Sequence, residues 1–309
     1  MKIKKPNFWN KKGLISFALL PITLLYIIFL KIKKFLTKEV EFKSKIICVG
    51  NLYLGGTGKT PLSLFIANLL NNSKGKTFIA KKFYQNHLDE INLIKNNFKN
   101  VVVASSRIKC IQQIENSGSE IVVMDDGFQD WTIKKDLSLL CFSSLDGFGN
   151  GYVLPAGPLR EIPHKTQNAQ IIVIKGNKNI NLEKKINKIY NNSNIFYMNY
   201  EPINISAFQK DNYLAFAGIG NSIEFFETLE KYGVNVKEKL AFSDHYNYLQ
   251  KDLDKIKNLA QSNNLKIVTT EKDFLRISQK NLEKIDFLKI KVKIDNQVEF
   301  EKKIKSFLL

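Results

Sequence analysis

From residue 46 onward the chain alternates short apolar runs with amphipathic stretches. Residues 46–49, 78–80, 101–104, 121–124, 137–142 and 171–174 are continuous apolar runs bounded by turn residues, and residues 61–70 and 107–115 between them place apolar side chains at helical spacing. Runs without polar alternation predict strands buried on both faces, and their alternation with helices predicts a parallel sheet covered on both sides. A second series follows. It comprises a strand over 214–217, a helix over 223–231, an extended segment over 234–242, a helix over 249–260, a strand at 267–268, and a last strand and helix from Leu288 onward. A polar, Asn-rich stretch (177–194) and the short run 196–200 lie between the two series. The pattern predicts an α/β protein with a parallel-sheet lobe over 46–194, a strand-like linker over 195–210 and a second α/β lobe over 211–309.

The amino-terminal 45 residues follow another pattern. Residues 13–30 (GLISFALLPITLLYIIFL) carry no charge; as a helix they would be about 27 Å long, just short of a hydrocarbon core of about 30 Å. No small-residue cleavage site follows, and Lys31, Lys33 and Lys34 close the segment, which argues against a removed signal peptide. A helix apolar all round between two lysine clusters also fits a globular core poorly. The segment is expected to be a membrane anchor, spanning the bilayer or lying in it, with lysines at the anionic headgroups. Lysines on both flanks leave its orientation open.

Composition sharpens this picture. The chain has 309 residues, 44% of them hydrophobic, which is enough for two cores and excludes global disorder. Its net charge of +18 suggests nucleic acid, an anionic membrane or a phosphorylated substrate. Half of that surplus lies in residues 1–45, where eleven lysines face only Glu39 and Glu41. The excess therefore surrounds the apolar segment rather than one face of a domain, and a nucleic-acid partner is not expected. Only Arg107, Arg160 and Arg276 are arginines among 47 Lys and Arg, so much of the remaining surplus reads as compositional lysine. Cys48, Cys110 and Cys141 lie in or beside apolar runs without metal-ligand spacing and are expected to be buried thiols in a reducing compartment.

The first apolar run leads into Gly50-Asn51-Leu52-Tyr53-Leu54-Gly55-Gly56-Thr57-Gly58-Lys59-Thr60-Pro61 and then a helix. Strand, glycine-rich loop and helix in that order form the context of a P-loop. Backbone N–H groups of Tyr53, Leu54, Gly55, Gly56, Thr57, Gly58, Lys59 and Thr60 would wrap phosphate oxygens. Lys59 would reach the β/γ-phosphates and the Thr60 hydroxyl could ligate Mg²⁺. Tyr53 stands where the strict pattern has glycine, so the loop is a variant. ATP or GTP is the expected ligand. The run over 121–124 ends in Asp125-Asp126-Gly127, and a strand ending in acidic residues beside a P-loop strand is where Mg²⁺ is held. Extended neighbours point to opposite sides, so one aspartate can serve the metal while the other serves another purpose.

Five stretches together carry a more specific likeness: VGNLYLGGTGKTP (49–61), MDDGFQ (124–129), FGNGYVLPAGPLRE (148–161), FSDH (242–245) and VTTEKD (268–273). In this order they resemble the tetraacyldisaccharide 4'-kinases of lipid A biosynthesis over essentially the whole chain. The resemblance implies two α/β/α lobes with a small β linker, an active site in a cleft, and an N-terminal membrane helix. It also implies transfer of the ATP γ-phosphate to the 4'-hydroxyl of a tetraacyldisaccharide 1-phosphate, giving lipid IVA, at the cytoplasmic face of a bacterial inner membrane. On the same basis Asp89, in Leu88-Asp89-Glu90, is the base, His245 its orienting partner and Arg160 a cation on the transferred phosphoryl group. His87 is an alternative partner for Asp89. Residues 269–273 read as a helix cap rather than as chemistry. The sequence departs from the family at Lys81-Lys82-Phe83-Tyr84, where Ser-Arg-Gly-Tyr is usual, and at Asp130, where a histidine is common.

The competing reading is a membrane-tethered P-loop ATPase or GTPase switch, which needs a partner surface and order–disorder loops rather than an acceptor, a base and a cleft. Residues 148–161 and 242–245 favour the kinase. A monomer is expected.

Overall fold

The computed structural model describes residues 6–74, 76–163, 169–190, 194–278 and 281–308. His164 and residues 191–193 of the Asn-rich stretch lie outside them. The described residues fall into two units. The larger takes its residues from 5–83, 98–199 and 292–309, the smaller from 84–97 and 200–291.

The larger unit is built on an eight-stranded sheet. Its strands are β1 (Lys45–Gly50), β2 (Thr77–Lys82), β3 (Val101–Ala104), β4 (Ile121–Asp125), β5 (Leu137–Ser143), β6 (Ile171–Lys175), β7 (Asn194–Pro202) and β12 (Ile290–Ile294). The order across the sheet is β12-β7-β6-β5-β1-β4-β2-β3. Neighbours from β7 to β3 run parallel. Ile46, Ile47, Cys48 and Val49 are buried, as are Ile121–Asp125, because helices cover both faces. Those helices include α3 (Lys59–Lys74), α5 (Arg107–Asn116) and α6 (Ile180–Ile189); Leu62, Ile66 and Leu70 of α3, spaced four apart, have no exposed surface. Each such side chain contributes roughly 1.5–3 kcal/mol by leaving water. All three cysteines are buried and free, and burial pushes the Cys48 thiol up to about 11. They are therefore thiols, not thiolates, at neutral pH.

The smaller unit carries a four-stranded parallel sheet in the order β11-β10-β8-β9, formed by β8 (Asn212–Ala217), β9 (Asn235–Ala241), β10 (Lys266–Thr270) and β11 (Ile285–Leu288). Helices α7 (Ser222–Lys231) and α8 (Gln250–Ser262) turn Phe225, Phe226 and Leu229, and Leu253 and Ile256, into its core.

Four sequence expectations are corrected. The segment 84–97, containing the helix α4 (Leu88–Asn97), belongs with the smaller unit although it lies between β2 and β3 in sequence. The C-terminal helix α10 (Gln297–Ser306) belongs with the larger unit, where Phe300 packs on Phe65 and Phe196. The strand expected as a separate linker over 195–210 is β7, which pairs with β6 in the large sheet.

The expected membrane-long helix over 13–30 is also not formed. The segment folds as α1 (Leu14–Ala18) and α2 (Leu20–Leu36), interrupted at Leu19, with Pro21 in the first turn of α2. Among the described residues no helix is long and apolar enough to cross a membrane. The polar residues of this segment explain its placement. Ser16 donates to the Phe8 carbonyl, Thr23 to the Val153 carbonyl and Tyr26 to the Arg160 carbonyl, each at 3.3 Å, while Trp9 Nε1 donates to the Pro155 carbonyl at 3.1 Å. With Asn150 donating to Ser16 at 3.1 Å, the Thr23 and Tyr26 contacts seat one side of α1–α2 on the stretch 148–161. The other side leaves Leu14, Phe17, Leu25, Phe29, Phe35 and Leu36 more than half exposed.

Candidate active site

Two clusters of charged side chains stand at the carboxyl ends of parallel strands, the usual position of ligand sites in such sheets. The first belongs to the larger unit. β1 ends at Gly50, and the loop to α3 is shaped from inside by Asn51. Its Nδ2 donates to the Tyr53 carbonyl at 2.6 Å, the Gly55 carbonyl at 3.3 Å and the Thr57 hydroxyl at 2.9 Å. A Cβ on Gly50 would come within 2.4 Å of Phe128 Cβ, so glycine there lets the loop and the Asp125–Gln129 turn approach each other. Gly55 and Gly58 have φ of +158° and +84°; the latter value strongly favours glycine. Tyr53, at the variant position, is buried and donates its hydroxyl to Asp146 at 3.3 Å.

The two aspartates at the end of β4 face different partners, although not through strand alternation, because β4 ends at Asp125. Asp125 is wholly buried and accepts from Thr60 at 3.1 Å, Ser63 at 2.9 Å and Lys81 at 2.6 Å. Asp126, in a left-handed conformation with φ +55°, turns the other way. Its Oδ1 accepts from Arg160 at 2.9 Å and lies 3.7 Å from Lys59 Nζ. Burial alone would raise its pKa, but the charges of Lys59, Arg160 and Lys81 outweigh that and push it down to about 2. Arg107 fixes this turn by donating to the Asp126 carbonyl and to Asp130. Arg160 Nε is buried and has no hydrogen-bond partner among the described residues. The cluster therefore combines a glycine-rich cradle, two cations and an unsatisfied guanidinium donor, which is an arrangement for phosphate oxygens.

The second cluster belongs to the smaller unit and brings Asp89 and His245 together. Asp89 is at the start of α4. His245 lies between β9 and α8 with φ +54°, and its N–H donates to the Gly218 carbonyl. His245 Nδ1 is 3.0 Å from Asp89 Oδ2. Arg276 donates to the same oxygen through Nε at 2.9 Å and Nη2 at 2.6 Å, and Lys272 Nζ is 3.5 Å away. Burial opposes ionisation of Asp89, but the His245 hydrogen bond and the charges of Lys272 and Arg276 hold it well below the usual carboxylate range. An ionised carboxylate only accepts, so the bridging proton is on His245 Nδ1. Oδ1 of Asp89 has no hydrogen-bond partner among the described residues. His87, the alternative partner, instead faces Glu90 at 3.5 Å.

Arg276 is the residue that sequence reasoning missed. It also donates to the Gly218 carbonyl at 2.7 Å and to Asp273 at 2.6 Å. Asp273 is fully buried and further accepts from Gly218 N, Tyr248 and Thr270. The stretch 269–273 is thus architecture, with Thr270 capping the short helix α9 (Glu271–Phe274) and Asp273 aiming Arg276. A signal for Arg276 was present: in a chain that almost always uses lysine, all three arginines make fork-shaped or multiple contacts to carboxylates and carbonyls.

A pH experiment tests the Arg276 contact. Asp89, with its pKa depressed on folding, adds stability that is complete above the unfolded value of about 4 and is lost as pH falls through the lower folded value. Arg276→Met is expected to move the acid limb of turnover upward, toward the ordinary carboxylate range. An acid limb identical to wild type would show that Arg276 does not set the state of Asp89.

A family model described as Tetraacyldisaccharide-1-P 4'-kinase matches residues 15–90 and 84–309. A Pelagibacter ubique protein named tetraacyldisaccharide 4'-kinase is 39% identical, over 98% of both chains. One of the same name from Rickettsia bellii is 32% identical, over 96% of both. Among solved structures, LpxK from Aquifex aeolicus in complex with ATP superposes with a TM-score of 0.73 at 23% identity, covering 96% of this chain and 100% of that one.

Proposed function

The chain belongs to the tetraacyldisaccharide 4'-kinase family, and from that premise we propose that it transfers the γ-phosphate of ATP to the 4'-hydroxyl of a tetraacyldisaccharide 1-phosphate, as a lipid kinase of lipid A biosynthesis. The observation that carries the reading is the Asp89–His245–Arg276 constellation. A nucleotide switch has no use for a carboxylate anchored on one oxygen with the other left open. A hydroxyl is a poor nucleophile, and Asp89 Oδ1 is the acceptor for its proton. His245 and Arg276 fix the carboxylate's orientation. Lys59 and Arg160 bind the phosphate oxygens and offset charge on the moving phosphoryl group.

The oxygen donors near the loop suit a hard cation. The Thr60 hydroxyl and the Asp126 carboxylate, the latter held ionised, would hold Mg²⁺, and Asp125 orients Thr60. Mg²⁺, when bound, neutralises phosphate charge. Asp125 itself is engaged by three donors.

The exposed apolar side of α1–α2, with Lys11, Lys12, Lys31, Lys33 and Lys34 around it, supports attachment to one leaflet of an anionic membrane, where a tetraacylated substrate resides. The kinase and switch readings part in one assay. With Mg-ATP in detergent micelles, ADP release is expected to rise many-fold on adding the acylated disaccharide phosphate. ADP release indifferent to the lipid would favour the switch.

A further inference from the structure

We propose that His87, Glu90 and His245 form a site for a transition-metal dication of the zinc class, and that an ion bound there halts turnover by capturing His245. The three residues belong to the smaller unit. His87 closes the short 3-10 helix Gln85–His87, and Glu90 follows at i+3 on the same face. The His87 and His245 rings are 5.1 Å apart. His87 Nδ1 is 3.5 Å from one Glu90 oxygen, His245 Nε2 is 3.9 Å from the other, and one donor atom from each of the three lies within 4.8 Å of the rest. Donors around a tetrahedral zinc ion, with bonds of about 2.0–2.1 Å, stand about 3.3 Å apart. Small side-chain rotations close that gap.

Two further observations point to a cation. His245 already has the support that a metal-bound histidine requires, because its Nδ1–H donates to Asp89 and leaves Nε2 as the lone-pair nitrogen directed at Glu90. The place is also already taken by a positive charge: Lys272 Nζ lies 3.2 Å from Glu90 Oε1 and 3.5 Å from His245 Nε2. Lys272 sits on a flexible stem, and a dication with two imidazole ligands displaces it. Two nitrogens and one carboxylate select zinc, cobalt or nickel over Mg²⁺, whose preference is for oxygen. The nucleotide's Mg²⁺ therefore does not fill this site. The rotation that brings Nε2 onto the ion moves the ring that seats Asp89 Oδ2, so the carboxylate leaves the position in which it meets the hydroxyl.

The test uses the full chain without a histidine tag, in detergent, titrated with CoCl₂ alone. One cobalt per chain with the visible d–d absorption of a four-coordinate site is expected, displaced by ZnCl₂. His87→Ala, at a partly exposed side chain outside the transfer machinery, is expected to bind about tenfold or more weakly. In Mg-ATP assays micromolar ZnCl₂ should inhibit wild type reversibly, and His87→Ala should keep its basal rate and lose that sensitivity. Absence of the cobalt band in wild type would overturn the proposal, as would equal binding and inhibition in His87→Ala. Cobalt binding needs no turnover, so a protein that binds cobalt but fails to phosphorylate the lipid would count against the kinase reading alone.

Discussion

Asp89→Asn is expected to lower kcat by roughly 10²–10⁴-fold, the span usual for losing a positioned base, while the KM for ATP stays near wild type. Asparagine keeps the shape of the side chain and an oxygen for Arg276, but its amide cannot take a proton. The nucleotide loop belongs to the other unit, where Asn51 shapes it from inside. Steady-state kinetics with saturating lipid, beside ATP binding by titration calorimetry, separate the two effects. A variant with near-normal kcat would remove Asp89 from the base role.

The second large effect is on stability. Lys81 and Asp125 form a buried ion pair at 2.6 Å, with side chains 4% and 0% exposed. Lys81→Met leaves Asp125 with Thr60 and Ser63 and removes the charge paired with it at 2.6 Å. Breaking one partner of a buried pair costs about 3–5 kcal/mol, which corresponds to a Tm lower by roughly 10 °C for a unit of this size. The double variant Lys81→Met/Asp125→Asn removes both charges; its amide oxygen accepts from one hydroxyl and its NH₂ can donate to the oxygen of the other, so it is expected to recover most of the loss. Thermal unfolding of the four proteins of this cycle checks it. If the double variant is no more stable than Lys81→Met, charge compensation is not what Lys81 supplies.

That pair also shows where sequence reading reached its limit. The large sheet was legible because its strands, buried on both faces, read as unbroken apolar runs, and the P-loop because glycine spacing is a local property. Asp125 and Asp126 were legible as a strand end. Lys81, however, looked like one more lysine in a lysine-rich chain and like a departure from the family pattern. Only the fold reveals that its β2 position lies beside β4 and Asp125. Segment 84–97 departs from sequence order for a related reason: adjacency in sequence favours β2 and β3, whereas Asp89 finds Arg276, 187 positions away. The N-terminal segment misled through its average. Its eighteen uncharged residues suggested one long helix, but Ser16 and Thr23 mark a protein-facing side and Pro21 marks a start. The pairing of Asp89 with His245 was accessible through family resemblance alone, since no spacing along the chain predicts it.

Transfer of phosphate to one particular hydroxyl is read out by the product itself. Wild-type protein incubated with Mg-ATP and tetraacyldisaccharide 1-phosphate should yield a lipid heavier by one phosphate, with phosphorus–proton NMR correlation placing the new ester at the 4'-oxygen. Asp89→Asn should yield almost none under the same conditions. ATP consumed without any change in the lipid, or a phosphate found at another position, would contradict the account.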